Sequence, residues 1–98
     1  MEIKKTAMAG TLESSDAQVT VEPGEGGIEL LIESSVMYQY GRRIRTVALE
    51  TLNRLGVTNA RVTIFDKGAL DCAIKARVKA AAYRACGEES YQWGGAGK

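Results

Sequence analysis

The period of the hydrophobic pattern changes at Ser34-Ser35, and that change constrains the fold more than any other feature of these 98 residues. Before it, apolar residues recur at every second position. Ala17, Val19 and Val21 alternate with Gln18, Thr20 and Glu22, and Ile28, Leu30 and Ile32 alternate with Glu29 and Glu33. Period two is the mark of a pleated strand buried on one side. After the change, Tyr40, Ile44, Val47, Ala48, Leu52 and Leu55 follow at helical spacing and form one apolar stripe. Ser34-Ser35 offers that helix an N-cap, because a serine oxygen accepts from the free N–H groups of a first turn. Gly41 inside it costs about 1 kcal/mol relative to alanine, which predicts a close approach there, and Gly56 suits a left-handed C-terminal cap. The alternation then repeats once. Val62 and Ile64 sit between Arg61, Thr63 and Phe65 as a strand stopped by Asp66-Lys67-Gly68, and Leu70, Ile74, Val78, Ala81 and Ala85 mark a second, alanine-rich helix ending near Gly87.

Upstream, Thr6 to Leu12 reads as a further strand, joined to the one at Ala17 by the polar hairpin turn Glu13-Ser14-Ser15-Asp16. Pro23-Gly24-Glu25-Gly26-Gly27 is the next breaker and reads as a flexible hairpin loop. The order is therefore β-β-β-α-β-α. Neither helix can bury its stripe alone, so both are expected against one face of a small, mainly antiparallel four-stranded sheet, a two-layer α+β domain. The length allows one core, which assigns residues 1–87 to a single domain and leaves 88–98, without periodicity, as a mobile tail. Leu31 interrupts a polar strand face and is expected to meet a neighbouring subunit or the edge of the core.

The chain has no histidine. That excludes Ser-His-Asp and Cys-His nucleophiles, the usual near-neutral general base and the commonest zinc ligand. Two cysteines make neither a Cys₄ site nor a disulfide framework. Cys72 and Cys86, 14 residues apart on one helix, would stand about 21 Å apart, too far to bridge, and read as two small buried hydrophobes. No apolar run approaches the roughly 18 residues that span a bilayer and the first ten residues lack a signal-peptide core, so the chain is expected in the cytoplasm and off the membrane. Pro23–Gly27 lacks the Lys-Ser/Thr ending of a phosphate loop and opens a strand, not a helix. Glu29 and Glu33 point outward from a strand and keep it solvated.

Near-neutral net charge hides a polarity: residues 1–35 carry seven acids and two lysines, whereas 36–86 carry ten Lys/Arg and three acids. Such asymmetry either steers association with a charged partner or reflects solvated faces that differ. Arg42, Arg43 and Arg45 suggest a nucleic-acid patch, but with so few aromatics a solvated helix face is the simpler reading. The Ser14-Ser15 turn is exposed to a modifying enzyme yet has no local base, and the residues alone do not choose between the two serines.

Ala9-Gly10-Thr11-Leu12-Glu13-Ser14-Ser15-Asp16 closely resembles the N-terminal signature of the citrate lyase acyl carrier proteins, the gamma chains of that complex. Asp66-Lys67-Gly68-Ala69-Leu70-Asp71-Cys72, continuing through Ala76-Arg77-Val78, resembles the family's second signature, and the Gly-rich loop before Ile28 and Leu55-Gly56-Val57 agree. The resemblance implies a non-catalytic carrier in which Ser14, the first serine of the pair, bears phosphoribosyl-dephospho-CoA through a phosphodiester. The thiol of that arm would hold an acetyl thioester; the alpha chain would exchange acetyl for citryl, and the beta chain would cleave the citryl thioester to oxaloacetate. The carrier would supply neither acid nor base, only a thioester tethered at high effective concentration near two active sites, and a separate transferase would attach the arm. Arg42, Arg43, Lys75 and Lys79 could then dock an acidic patch of the larger chains or attract the arm's phosphates. A carrier of malonate decarboxylase is the near alternative, which Lys67-Gly68-Ala69-Leu70-Asp71-Cys72 disfavours; a small nucleic-acid-binding α+β module and a purely structural adaptor are the others.

Overall fold

The computed structural model describes residues 1–34 and 37–87, and the side chains of residues 37–41 are outside the description. In chain order the elements are β1 (Ala7–Gly10), β2 (Ala17–Glu22), β3 (Ile28–Ser34), α1 (Met37–Arg54), β4 (Ala60–Asp66) and α2 (Asp71–Ala85). The anticipated β-β-β-α-β-α order is present, as is the two-layer α+β arrangement. Both helices cover one face of a four-stranded sheet of order β1-β2-β4-β3, with α1 against β3 and α2 against β1 and β2.

The sheet is mixed. β1 pairs antiparallel with β2, and β2 with β4, but β3 pairs parallel with β4. A helix connects β3 to β4 and returns the chain to the end of the sheet where β3 began, and a crossover of that kind makes neighbouring strands parallel. Because β4 enters between β2 and β3, the Pro23–Gly27 segment is not a hairpin loop. It carries the chain across the start of β4, where Ala60 N–H donates to the Gly27 carbonyl at 3.1 Å and Gly27 N–H donates to Asn59 Oδ1 at 2.8 Å. A Cβ on Gly24 would lie 2.8 Å from the Ala60 carbonyl carbon, so this crossing needs glycine.

Period two places one row across the sheet at the centre of the core: Ala9, Val19, Ile64 and Ile32 are register neighbours and all are buried. Above them pack Ile44, Val47, Ala48 and Leu52 of α1 and Ile74, Val78, Ala81 and Ala85 of α2, as the two stripes require. Each fully buried leucine- or isoleucine-sized side chain contributes about 1.5–3 kcal/mol relative to exposure. The alternate residues Gln18, Thr20, Glu22, Thr63 and Phe65 line the uncovered face with Leu31, which is 59% exposed and outside the core. Gly56, at φ 77°, ends α1: its N–H donates to the Asn53 carbonyl at 3.0 Å and that of Val57 to Leu52 at 3.0 Å, a Schellman cap.

Leu70, the two cysteines and β1 also depart from the sequence pattern. Leu70 is not part of the α2 stripe; it occupies the N-cap position in extended conformation and is 72% exposed. Cys72 is exposed and Cys86 half-buried, not a pair of core residues, because Cys72 lies about 200° around the helix from Ile74. β1 is shorter than the span Thr6 to Leu12. The cap at Ser34-Ser35 is half visible: Ser34 ends β3, while Ser35 lies outside the described residues, as do the tail 88–98 and the side-chain surroundings of Tyr40 and Gly41. Among the described residues no helix is long and apolar enough to cross a membrane.

Candidate functional site

The loop of residues 11–16 joins β1 to β2 and carries the two candidate serines at its tip. Its base is closed by Gly10, at φ 95°, where a Cβ would stand 1.9 Å from the Ala17 carbonyl oxygen, so no other residue fits without moving the backbone. Inside the loop the Thr11 hydroxyl donates to Asp16 Oδ2 at 2.6 Å and accepts the Glu13 N–H at 3.2 Å, and Asp16 N–H donates to the Glu13 carbonyl at 3.1 Å.

Asp16 is the fixed point. Its carboxylate accepts the Ala17 N–H at 2.7 Å and a two-pronged guanidinium from Arg77 of α2, Nε to Oδ1 at 3.0 Å and Nη2 to Oδ2 at 2.9 Å. The Arg77 hydrogen bonds, then those of Thr11 and the Ala17 N–H, hold its pKa well below the usual carboxylate range.

A second brace comes from the β4–α2 loop. Ser15 N–H donates to the Lys67 carbonyl and Lys67 N–H to the Asp16 carbonyl, both at 2.8 Å, which carries the β2–β4 ladder one step beyond the Ala17–Asp66 pair. That loop is itself shaped by Asp66, 2% exposed, whose Oδ2 accepts the Ser34 hydroxyl at 2.7 Å and the Gly68 N–H at 3.1 Å while Oδ1 accepts the Ala69 N–H at 2.9 Å. A buried carboxylate is tolerable because it is hydrogen-bonded on both oxygens.

Between these braces stands Ser14. It is exposed, and among the described residues its hydroxyl has no hydrogen-bond partner. Ser15 is also exposed, but its backbone is held in the left-handed region at φ 67°, the one non-glycine residue there among those described, and its N–H is engaged by Lys67. The loop holds two carboxylates, the exposed Glu13 and Asp16; Asp16 is saturated by donors and strongly acidified, and among the described residues neither is hydrogen-bonded to a serine hydroxyl. The arrangement presents an oxygen without activating it.

The other candidates fall elsewhere. Arg42, Arg43 and Arg45 are exposed on α1, and Arg43 turns to Asp71, donating from Nε to both oxygens at 3.0 Å and from Nη2 at 2.9 Å, which lowers the Asp71 pKa. Lys75 and Lys79 lie on α2 and border a groove shared with Arg54 of α1. Glu29 faces solvent and takes Arg61 at 3.4 Å. Among the described residues no group of His, Cys, Asp or Glu could hold a metal ion. The braces Asp66 and Arg77 fall within the second signature, yet nothing in that signature gives their roles. For Asp66 a signal exists in the periodicity: Val62, Ile64 and Asp66 share the inward phase of β4, and a charge at an inward position demands partners. Arg77 carries no such mark.

Residues 4–85 match the malonate decarboxylase delta subunit (MdcD) family. The citrate lyase acyl carrier protein of Vibrio cholerae serotype O1 (strain M66-2) is 55% identical over 94 residues, 95% of this chain and 96% of that one. Those of Streptococcus uberis and Lacticaseibacillus casei are 55% and 52% identical over 93 residues, each covering 95% of this chain and 92% of its own. In a crystal structure of a Pseudomonas malonate decarboxylase hetero-tetramer in complex with malonate, one chain shares the fold at a TM-score of 0.66 and 24% identity, with 84% of each chain covered. These relatives place the chain in the class of acyl carrier proteins, on the small α+β fold it shares with the malonate decarboxylase chain. The chain belongs to the citrate lyase acyl carrier protein family.

Proposed function

We propose that this chain is the acyl carrier subunit of citrate lyase and that Ser14 Oγ bears phosphoribosyl-dephospho-CoA through a phosphodiester. The observation that carries the reading is the state of Ser14: solvent-exposed, free of hydrogen-bond partners among the described residues, and flanked by a loop lashed to α2 and to the β4–α2 turn. Those features fit the group. A serine that is to become a diester needs an oxygen not engaged elsewhere and room around it, and it gains nothing from a local base when a separate transferase performs the attachment. When bound, the group supplies the thiol on which acyl chains are carried.

What the chain's own residues do is positional. Asp16, Arg77 and Asp66 keep the tether point in one place, so the arm's reach is set by the arm and not by a moving loop. The acid–base chemistry then belongs to the partners: an alpha chain acting as acyl transferase and a beta chain acting as citryl lyase, with all of them working in the cytoplasm. Residues 1–87 serve as the carrier domain and 88–98 as its tail. The structural likeness to a malonate decarboxylase chain is one of fold, whereas the relatives at 52–55% identity described above bear the citrate lyase name.

Intact mass of the chain isolated with its active complex tests the proposal. The expected result is one added phosphoribosyl-dephospho-CoA unit, lost in Ser14→Ala together with complex activity and kept in Ser15→Ala. An unmodified mass from active complex, or an adduct that survives Ser14→Ala, would overturn it.

A further inference from the structure

Where the last turns of α1 pass the first turns of α2, the helices leave a groove of about 400 Å³ on the surface turned away from the sheet. Its floor is apolar. Leu55 and Ala76 contribute hydrocarbon, and the Thr51 hydroxyl is turned back to the Val47 carbonyl at 2.8 Å, which leaves its methyl group unengaged. Its rim is cationic, with Arg54 on one helix and Lys75 and Lys79 on the other, against the single acid Glu50.

Four other cations of the molecule are already engaged. Arg43 holds Asp71, Arg77 holds Asp16, Arg61 meets Glu29, and Arg84 donates to the Met8 carbonyl at 2.7 Å. Among the described residues Arg54 and Lys79 have no such partner, and Lys75 feels only the field of Asp71, a carboxylate that Arg43 already grips. Lys75 and Lys79 are four residues apart, where like charges weaken a helix. Three cations thus border one apolar trough whose lining holds the single acid Glu50. Arg42 and Arg45, equally exposed on α1, do not line it.

We infer that this groove docks an acidic segment of a partner protein. The segment lays an apolar side chain on Leu55 and Ala76 and brings carboxylates to Arg54, Lys75 and Lys79. A trough between two helices accepts a third amphipathic segment in this way. A nucleic acid would leave the apolar floor unused and would find no aromatic lining residue to stack on. The position also suits a carrier. Arg77, about 200° around α2 from Lys75, holds the serine hairpin from the opposite flank of the same helix, so an occupied groove leaves Ser14 free. The inference rests on the carrier reading only for the choice of partner, the larger chains of the complex.

The test uses the full chain and the purified alpha and beta chains as probes, with binding measured at about 50 mM salt, where surface charges are weakly screened. Reversing the rim, Arg54→Glu with Lys75→Glu and Lys79→Glu, is expected to weaken docking to one of the two chains by about tenfold or more, with the loss closing as salt rises. The neutral set Arg54→Gln, Lys75→Gln and Lys79→Gln should show a smaller loss in the same direction, and it stands in if the reversed chain does not fold by circular dichroism. Arg42→Glu with Arg45→Glu should dock as the unaltered chain does. Rim variants that dock unchanged, or an Arg42/Arg45 control that loses as much, would overturn the inference. So would an affinity for a duplex or single-stranded RNA oligonucleotide that the neutral set abolishes while docking to both chains persists. Intact mass, read in parallel, keeps the two claims apart: an unloaded Ser14 counts against the carrier reading and leaves the docking result standing.

Discussion

Asp16 gathers four donors on one carboxylate, two from Arg77 and one each from Thr11 and the Ala17 N–H. Its pKa is lower folded than unfolded, where it is about 3.9. A depressed carboxylate contributes stability that is fully present above the unfolded value and is lost as pH falls below it toward the folded one. Urea midpoints for the unaltered chain should therefore hold between neutrality and about pH 5 and fall steeply below about pH 4. In Asp16→Asn the midpoint should be lower at neutral pH and the acid limb flatter, though not flat, because Asp71 is depressed by Arg43 and titrates in the same direction. Identical acid limbs for the two chains would show that the loop is not held by this carboxylate. At the same scale, Ser14 was legible from turn chemistry as an exposed serine, but its choice over Ser15 came from the family signature. The brace from Arg77 could not be read at all, since the two residues it joins lie 61 positions apart.

Helical and strand periodicity places elements well and their edges poorly. Leu52 and Leu70 both fit helical apolar spacing in the sequence, yet Leu52 is fully buried on the inner side of α1 while Leu70 occupies the N-cap of α2 in extended conformation and faces water. Leu52→Ala should cost about 2–5 kcal/mol, the range for a buried leucine that leaves a cavity, and Leu70→Ala should stay within about 0.5 kcal/mol. Equal losses in urea denaturation would mean that Leu70 packs in solution. The strands show the same division. The one-sided burial of β2 and β4 is legible residue by residue, whereas the insertion of β4 between β2 and β3 is not, because alternation says which face is buried and nothing about which strand lies alongside.

Over the whole molecule, the polarity between an acidic N-terminal third and a basic middle becomes a polarity between layers. Glu22, Glu29 and Glu33 lie on the strands and face away from the helices, and Arg42, Arg45, Arg54, Lys75 and Lys79 lie on the helices. A formal net charge of +1 therefore understates how strongly one side can meet an anionic surface. On a cation exchanger at neutral pH the set Arg54→Gln, Lys75→Gln and Lys79→Gln should elute at clearly lower salt than the charge-matched set Lys4→Gln, Lys5→Gln and Lys67→Gln. Elution of both at the same salt would mean that the cations act only through their sum.

The sequence by itself determined the inventory: six elements in order, the faces they bury, a chain without histidine, and a polar turn with two serines. Each of these follows from local periodicity or composition, which a single chain displays in full. The tertiary structure alone decided that the sheet is mixed, that Asp66 and Arg77 converge on the serine hairpin from distant positions, and that Arg54 joins Lys75 and Lys79 around one groove. These are pairings between segments far apart in the chain, and their free energy arises only when packing brings the partners within hydrogen-bond or Coulomb reach.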